Sequence, residues 1–183
     1  MCRRDKKVDI LISGSGGQGI MSLGKIIAKI ALLEDKFITW FPSYGAEMRG
    51  GTAHCFVRIS DKEIASPLVE RPHIAIIMNQ PSLDKFFSCI LEGGILIANK
   101  DLIFKIPQRK DVNIYLFPFT SISLKLDNPK GANIVALGVL WSIKKDLFKE
   151  ENIKKILREY FQDKNILNKN LQAFYKGVEL VKG

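Results

Sequence analysis

Residues Gly14, Ser15, Gly16, Gly17, Gln18 and Gly19 join an apolar run at 8–13 to a run with helical spacing. Gly14, Gly16 and Gly19 stand at G-x-G-x-x-G spacing. Such glycines allow a tight turn and close approach to a phosphate, with the next helix's N–H groups aimed at the anion. The helix dipole contributes only about 0.3–1 kcal/mol when exposed and about 2 when partly buried. The loop is therefore expected to position an anion more than to hold it. A dinucleotide site also wants Asp or Glu at the end of the second strand, about twenty residues past the glycines. Thr39, Trp40, Phe41 and Pro42 stand there instead, and Glu34 and Asp35 precede the strand. No G-K-[ST] follows, which excludes a P-loop. Taken alone, the loop is equally readable as a strand–helix connection without a ligand.

A second glycine-rich stretch, SYGAEMRGG at 43–51, follows the second strand and so belongs to the same carboxyl edge, where open α/β sheets bind ligands. Tyr44 offers a stacking ring, Glu47 an acceptor and Arg49 a phosphate-fitting guanidinium, set among Gly45, Gly50 and Gly51. The structural alternative is a Glu47–Arg49 ion pair in a turn. Asn79, before Pro81 and Ser82, reads either as a helix cap or as an amide lining the same crevice. Cys55 reads as a core thiol, and His54 and His73 lack any acid–base partner pattern. Asn133 opens an apolar helix, as a cap or a partner contact. Gly138 inside that helix costs about 1 kcal/mol relative to Ala, which predicts close helix packing, with a subunit interface as one place for it.

The elements that must position these residues follow from periodicity. Residues 8–13 predict a buried strand, 19–33 an amphipathic helix and 36–41 a second strand stopped by Pro42, together a βαβ unit. Residues 52–60 alternate as a strand, with a turn at Asp61 and Lys62 leading to 63–66 as a hairpin. A strand at 73–78, a helix from Pro81 and Ser82 to Leu91, and strands at 95–98 and 113–117 follow. From Ser121 the chain reads as helical, broken at 127–131, with an apolar helix at 132–143 and one or two tail helices at 149–181. The expected fold is α/β: a three-layer Rossmann-like sandwich with a mixed sheet and a C-terminal helical tail. One domain over 1–183 is expected, its core at 8–143 and its tail at 144–183.

The 183 residues are 46% hydrophobic and 26% charged, enough for a core that buries roughly 70% of the unfolded surface. Cys2, Cys55 and Cys89 have no C-x-x-C spacing, which suggests reduced thiols in a cytoplasmic protein and no metal site. No signal-length or membrane-spanning apolar run is present. The net charge of +9 favours acidic partners. Without an aromatic RNA motif or a helix-turn-helix, nucleic acid ranks last among them. The lysines between 144 and 158 alternate with Ile, Leu and Phe, as on a solvated helix face.

GSGGQG, PSYGAEMRGGTAHC and RISDKEIASPLVERPHIAIIMNQPSLDKF, in this order and spacing, resemble the gamma subunit of 2-oxoacid:ferredoxin oxidoreductases. The 2-oxoglutarate and 2-oxoisovalerate types, within the pyruvate/ketoisovalerate oxidoreductase catalytic-domain family, are the most similar. The resemblance runs from Val8 to Trp141 and includes NIVALGVLW. It implies a complex in which thiamine diphosphate and iron–sulfur clusters sit in alpha, beta and ferredoxin-like delta partners, ferredoxin accepts electrons, and coenzyme A accepts the acyl group. This chain would not be catalytic alone. The resemblance further implies that Gly14, Ser15, Gly16, Gly17, Gln18 and Gly19 form one wall of a shared coenzyme A site. Tyr44, Gly45, Glu47, Arg49, Gly50 and Gly51 would form the other wall or the contact to the thiamine-binding subunits, with Asn79 nearby. The competing reading is a stand-alone Rossmann-type nucleotide-binding redox module.

Overall fold

In the computed structural model, which describes residues 7–43 and 52–182, a six-stranded sheet has the order β2-β3-β1-β4-β5-β6. The strands are β1 (Lys7–Gly14), β2 (Phe37–Ser43), β3 (Ala53–Ser60), β4 (Ile74–Ile77), β5 (Ile95–Asn99) and β6 (Asn113–Phe117). β1 pairs in parallel with β4, β4 with β5 and β5 with β6, whereas β3 runs antiparallel to both β1 and β2. The sheet is therefore mixed, as the sequence predicts. Ile10, Leu11 and Ile12 in β1 are all fully buried because helices cover both faces of the sheet there.

β1 and β2 run parallel, as a βαβ unit requires, with β3 between them. Two local expectations are corrected. Residues 63–66 form no strand; the hairpin partner of β3 is β2, and Ser66 O accepts from Arg58 Nη1 at 2.5 Å. β2 supplies Ile38 and Trp40 to the main core, which a short polar segment such as Glu63 to Ser66 could not do. Pro42 does not stop its strand, which continues to Ser43. β2 is an edge strand, and an edge tolerates the missing N–H of proline.

Two cores face opposite sides of the sheet. The larger is built from Ile12, Val57 and Ile76 against α1 (Ile20–Leu32), α4 (Ala132–Ile143), α5 (Glu150–Tyr160) and α6 (Lys164–Lys182), with α3 (Phe119–Lys125) at its margin. The smaller sets Leu11, Ala75, Ile77 and Leu96 against α2 (Gln80–Phe86). α2 stops five residues short of the predicted Leu91, because the chain tightens into a 3-10 turn at Phe87–Cys89. Lys155 and Arg158 are exposed on α5 while Ile153, Ile156 and Leu157 are buried, the solvated face expected there.

α4 is buried from Asn133 to Leu140 with no polar stripe, because it packs against α6, α3, α1 and β5. Gly138 is where α6 crosses it. A Cβ on Gly138 would lie 2.0 Å from Phe174 O, and one on Gly177 would lie 2.0 Å from Val135 O. The close packing predicted for Gly138 is thus met inside the chain, by the tail helix, and not across a subunit boundary.

Candidate functional site

The glycine turn is held by side chains that sequence spacing could not connect. Gly19 caps α1 with φ 71 and ψ 26, a left-handed conformation that suits glycine. A Cβ there would also lie 2.3 Å from Asn133 Nδ2, which donates to Gly19 O at 3.1 Å. The start of α4 thereby clamps the start of α1. Ser15 N–H donates to Gln18 Oε1 at 2.6 Å, and Gln18 Nε2 donates to Met78 O at 3.3 Å. Asn79 Nδ2 donates to Ser15 Oγ, while Asn79 Oδ1 accepts from Ser82 N at 3.1 Å and caps α2. Of the two sequence readings, the cap is the one observed: Asn79 caps α2 and braces the turn, and it does not line the cavity. Asn99, at the end of β5, extends the pattern by donating to Thr120 Oγ1 at 2.9 Å and accepting from Phe119 N at 3.1 Å. No sequence signal singled Asn99 out.

Among the described residues no side chain caps the head of α1. Gly19 makes no side-chain cap, and the first turn carries no acidic residue. The orphan N–H groups of a helix start need an acceptor, and these lie on a cavity of about 680 Å³. Ser15, Gly16, Gly17 and Gly19 line it, whereas Gly14, Gln18 and Asn79 stand behind as supports. The facing wall comes from the 127–130 loop and the last two helices: Lys130, Tyr160, Phe161, Asn165, Ile166 and Lys169. Lys169 donates to the Asp127 carboxylate and, at 2.9 Å, to Asp127 O. That hydrogen bond, aided by the ammonium charge, holds the Asp127 carboxyl below the usual range. Asp127 itself sits at φ 51. The arrangement offers an anion backbone donors on one side and, on the other, Lys130, the Lys169–Asp127 pair and two aromatic rings. Asn133 Oδ1, at the foot of this wall, is buried without a hydrogen-bond partner among the described residues. The tail helices were legible as amphipathic, but nothing in their spacing told that they close a cavity over the glycine turn.

Tyr44, Gly45, Glu47, Arg49, Gly50 and Gly51 lie outside the described residues. The strands that flank them do end at this edge: Ser43 pairs with His54, Ala53 pairs with Gly14, and Ser13 Oγ donates to Ala53 O at 3.3 Å. Ala53 also lines the cavity.

Cys55 stands apart from this chemistry. Burial pushes its thiol up to about 12, partly offset by the Trp40 indole N–H, and Sγ lies 3.7 Å from Ile20 O. A raised thiol pKa means that the group favours folding below its unfolded value near 9.0, and that this contribution fades as pH climbs from there towards about 12. Native Cys55 is expected to resist iodoacetamide at pH 8 and to react once the chain is unfolded in urea. Peptide mapping by mass spectrometry checks this, and rapid native alkylation would remove Cys55 from the core. Among the described residues no group of three His, Cys, Asp or Glu gathers as a metal site, and no helix is long and apolar enough to cross a membrane.

Fold and site define an α/β domain whose first strand feeds a glycine turn and an uncapped helix beside a cavity at the carboxyl edge. Residues 9–180 match the family model for pyruvate ferredoxin/flavodoxin oxidoreductase. The chain belongs to that family. The 2-oxoglutarate synthase subunit KorC of Methanocaldococcus jannaschii is 40% identical over 178 residues, covering 95% of this chain and 94% of that protein. The ketoisovalerate oxidoreductase subunit VorA of Methanothermobacter thermautotrophicus is 33% identical over 175 residues, which cover 94% of this chain but 36% of VorA. The chain thus spans about a third of the length of VorA. Among solved structures, the 2-oxoglutarate:ferredoxin oxidoreductase of Magnetococcus marinus, described with 2-oxoglutarate, coenzyme A and succinyl-CoA bound, superposes with a TM-score of 0.87 at 25% identity. It covers 97% of this chain and 31% of that one.

Proposed function

We propose that this chain is the gamma subunit of a multisubunit 2-oxoacid:ferredoxin oxidoreductase and that its glycine turn receives an anionic end of coenzyme A in a site shared with partner subunits. The observation that carries the reading is the uncapped head of α1, held open on a cavity by Asn133, Gln18 and Asn79. It occurs in a family where a relative of the same fold is described with coenzyme A bound. The residues present fit such a ligand. Among the described residues nothing lies within 4 Å of a Cβ built at Gly16 or Gly17, and the cavity falls within the range of small-molecule pockets, about 300–1,000 Å³.

Coenzyme A supplies the thiol that accepts the acyl group. The chain's part is to bind and orient: the backbone N–H groups at the start of α1 meet the phosphate, Lys130 adds positive charge beside the Lys169–Asp127 pair, and Tyr160 with Phe161 shields one side from water. Glu47 and Arg49 belong to this wall or to the partner contact. Three scattered cysteines fall short of the four thiolates a cluster takes. In this reading the iron–sulfur clusters and thiamine diphosphate belong to alpha, beta and delta-type partners, with ferredoxin as acceptor and the cytoplasm as the setting. A stand-alone dinucleotide module is disfavoured, because β2 ends at Ser43 without a carboxylate.

Co-expression with the homologous partner subunits is expected to yield a complex that reduces ferredoxin in the presence of a 2-oxoacid and coenzyme A. Leaving this chain out should abolish coenzyme A-dependent turnover. Full turnover by the partners alone would refute the proposal.

A further inference from the structure

Within the turn from Gly14 to Gly19, Ser15 supplies the one side chain that lines the cavity. Its backbone is held on both sides by Gln18: Ser15 N–H donates to Gln18 Oε1 at 2.6 Å, and Ser15 O accepts from Gln18 N at 3.2 Å. Its side-chain oxygen is held by Asn79, whose Nδ2 donates to it. The direction of that hydrogen bond is fixed. Asn79 Oδ1 accepts from Ser82 N at 3.1 Å, so turning the carboxamide over would set its NH2 group against a backbone N–H. A serine hydroxyl has one proton and two lone pairs and ordinarily rotates to act as donor or acceptor. Here a lone pair faces Asn79, which turns the proton away from it. Among the described residues no protein acceptor takes that proton, and Ser15 is only half-buried, at the cavity.

We propose that Ser15 is a committed hydrogen-bond donor to the phosphate bound at the head of α1, and that Asn79 is the positioning residue that commits it. The inference rests on the reading of this cavity as the coenzyme A site and adds what selects the group held there. Three donors act in series: Ser82 N–H on Asn79, Asn79 Nδ2 on Ser15, and the Ser15 hydroxyl on the ligand. Each bond polarises the next, so the last O–H is a better donor than that of a free serine. An ionised phosphate, whose oxygens only accept, is the group matched to it. A separate observation marks the cavity as one that takes a polar ligand: Asn133, 4% exposed, lines it with Oδ1 unpartnered.

The test uses Ser15→Ala, Asn79→Asp and the double variant, each in the complex assembled with the partner subunits. The Kd of coenzyme A is measured by calorimetry without 2-oxoacid, and melting of the same samples checks the fold. Asp caps a helix as well as Asn does. Asn79→Asp therefore keeps the bond from Ser82 N, but it offers Ser15 an acceptor and draws the hydroxyl proton away from the ligand. Ser15→Ala should weaken binding about tenfold or more, the size of a hydrogen bond to a charged group. Asn79→Asp should weaken it at least as much, and adding Ser15→Ala to Asn79→Asp should change the Kd by less than about twofold. Comparison within the Asn79→Asp background cancels the charge that Asp adds. A merely structural Asn79 would leave Ser15→Ala its full effect in both backgrounds, and that result overturns the relay. A wild-type Kd for Ser15→Ala overturns the donor itself. In both cases wild type still binds coenzyme A and the gamma-subunit reading stands, whereas a wild-type complex that binds none overturns both.

Discussion

Gly138→Ala is expected to destabilise the chain by about 2 kcal/mol, although alanine is the better helix former. In an exposed helix the same change would stabilise by about 1 kcal/mol. Here the added methyl lies 2.0 Å from Phe174 O and 3.0 Å from Gly177 Cα, both backbone atoms that no rotamer change can clear. α4 and α6 must separate, and overpacking of this kind costs about 1–3 kcal/mol or more. The buried side chains Val135, Ala173 and Phe174 lose contacts in the process. For a chain of this length about 2 kcal/mol lowers the melting temperature by roughly 4–8 °C. Gly177→Ala should behave alike, and the double variant should cost less than the sum, because one separation of the helices relieves both clashes. A melting temperature at or above wild type for Gly138→Ala would show that the two helices do not cross at this contact.

Gly16→Asp is expected to raise the KM for coenzyme A about fivefold or more in the assembled complex while leaving the fold intact. Among the described residues beyond its chain neighbours, no atom lies within 4 Å of a Cβ at Gly16, so the side chain has room. The new carboxylate sits beside the uncapped start of α1, where a negative charge favours the helix by about 0.3–1 kcal/mol. Stability should therefore hold or rise slightly. A phosphate brought to the same N–H groups now meets that carboxylate at about 4–6 Å. The repulsion is roughly 1–4 kcal/mol between the dielectric limits of water and a protein surface, and each 1.4 kcal/mol is about tenfold in affinity. Opposite signs for stability and affinity separate this outcome from simple misfolding. Steady-state kinetics against coenzyme A, with calorimetric melting on the same sample, measures both. An unchanged KM would mean that the anion binds elsewhere.

Element types were legible where one physical signal dominates. The run from Val8 to Ser13 is apolar on both faces and reads as a central strand, and Ile20, Leu23, Ile26, Ile27 and Ile30 mark one face of α1. The errors came where the deciding contact is remote. Glu63 to Ser66 was expected to pair with β3 by proximity, but β2 holds that place because its alternate residues reach the core beneath α1. Pro42 was expected to end a strand, but the edge position removed the penalty. Gly138 announced a close approach without saying to what, since its partner, Gly177, lies 39 residues on.

The sequence by itself determined the α/β class, the place of the glycine turn between strand and helix, and, through the two loop motifs, the family. Periodicity and local turn chemistry act over a few residues, and a motif is read in order along the chain. Only the tertiary structure decided what the turn faces. Asn133 reaches Gly19 across 114 residues, and Lys130, Tyr160, Phe161 and Lys169 come from segments whose own patterns reflect only helix burial and loop exposure. Such a wall is a product of packing. It exists because α6 lies on α4 at a glycine crossing, and no local propensity encodes that distance.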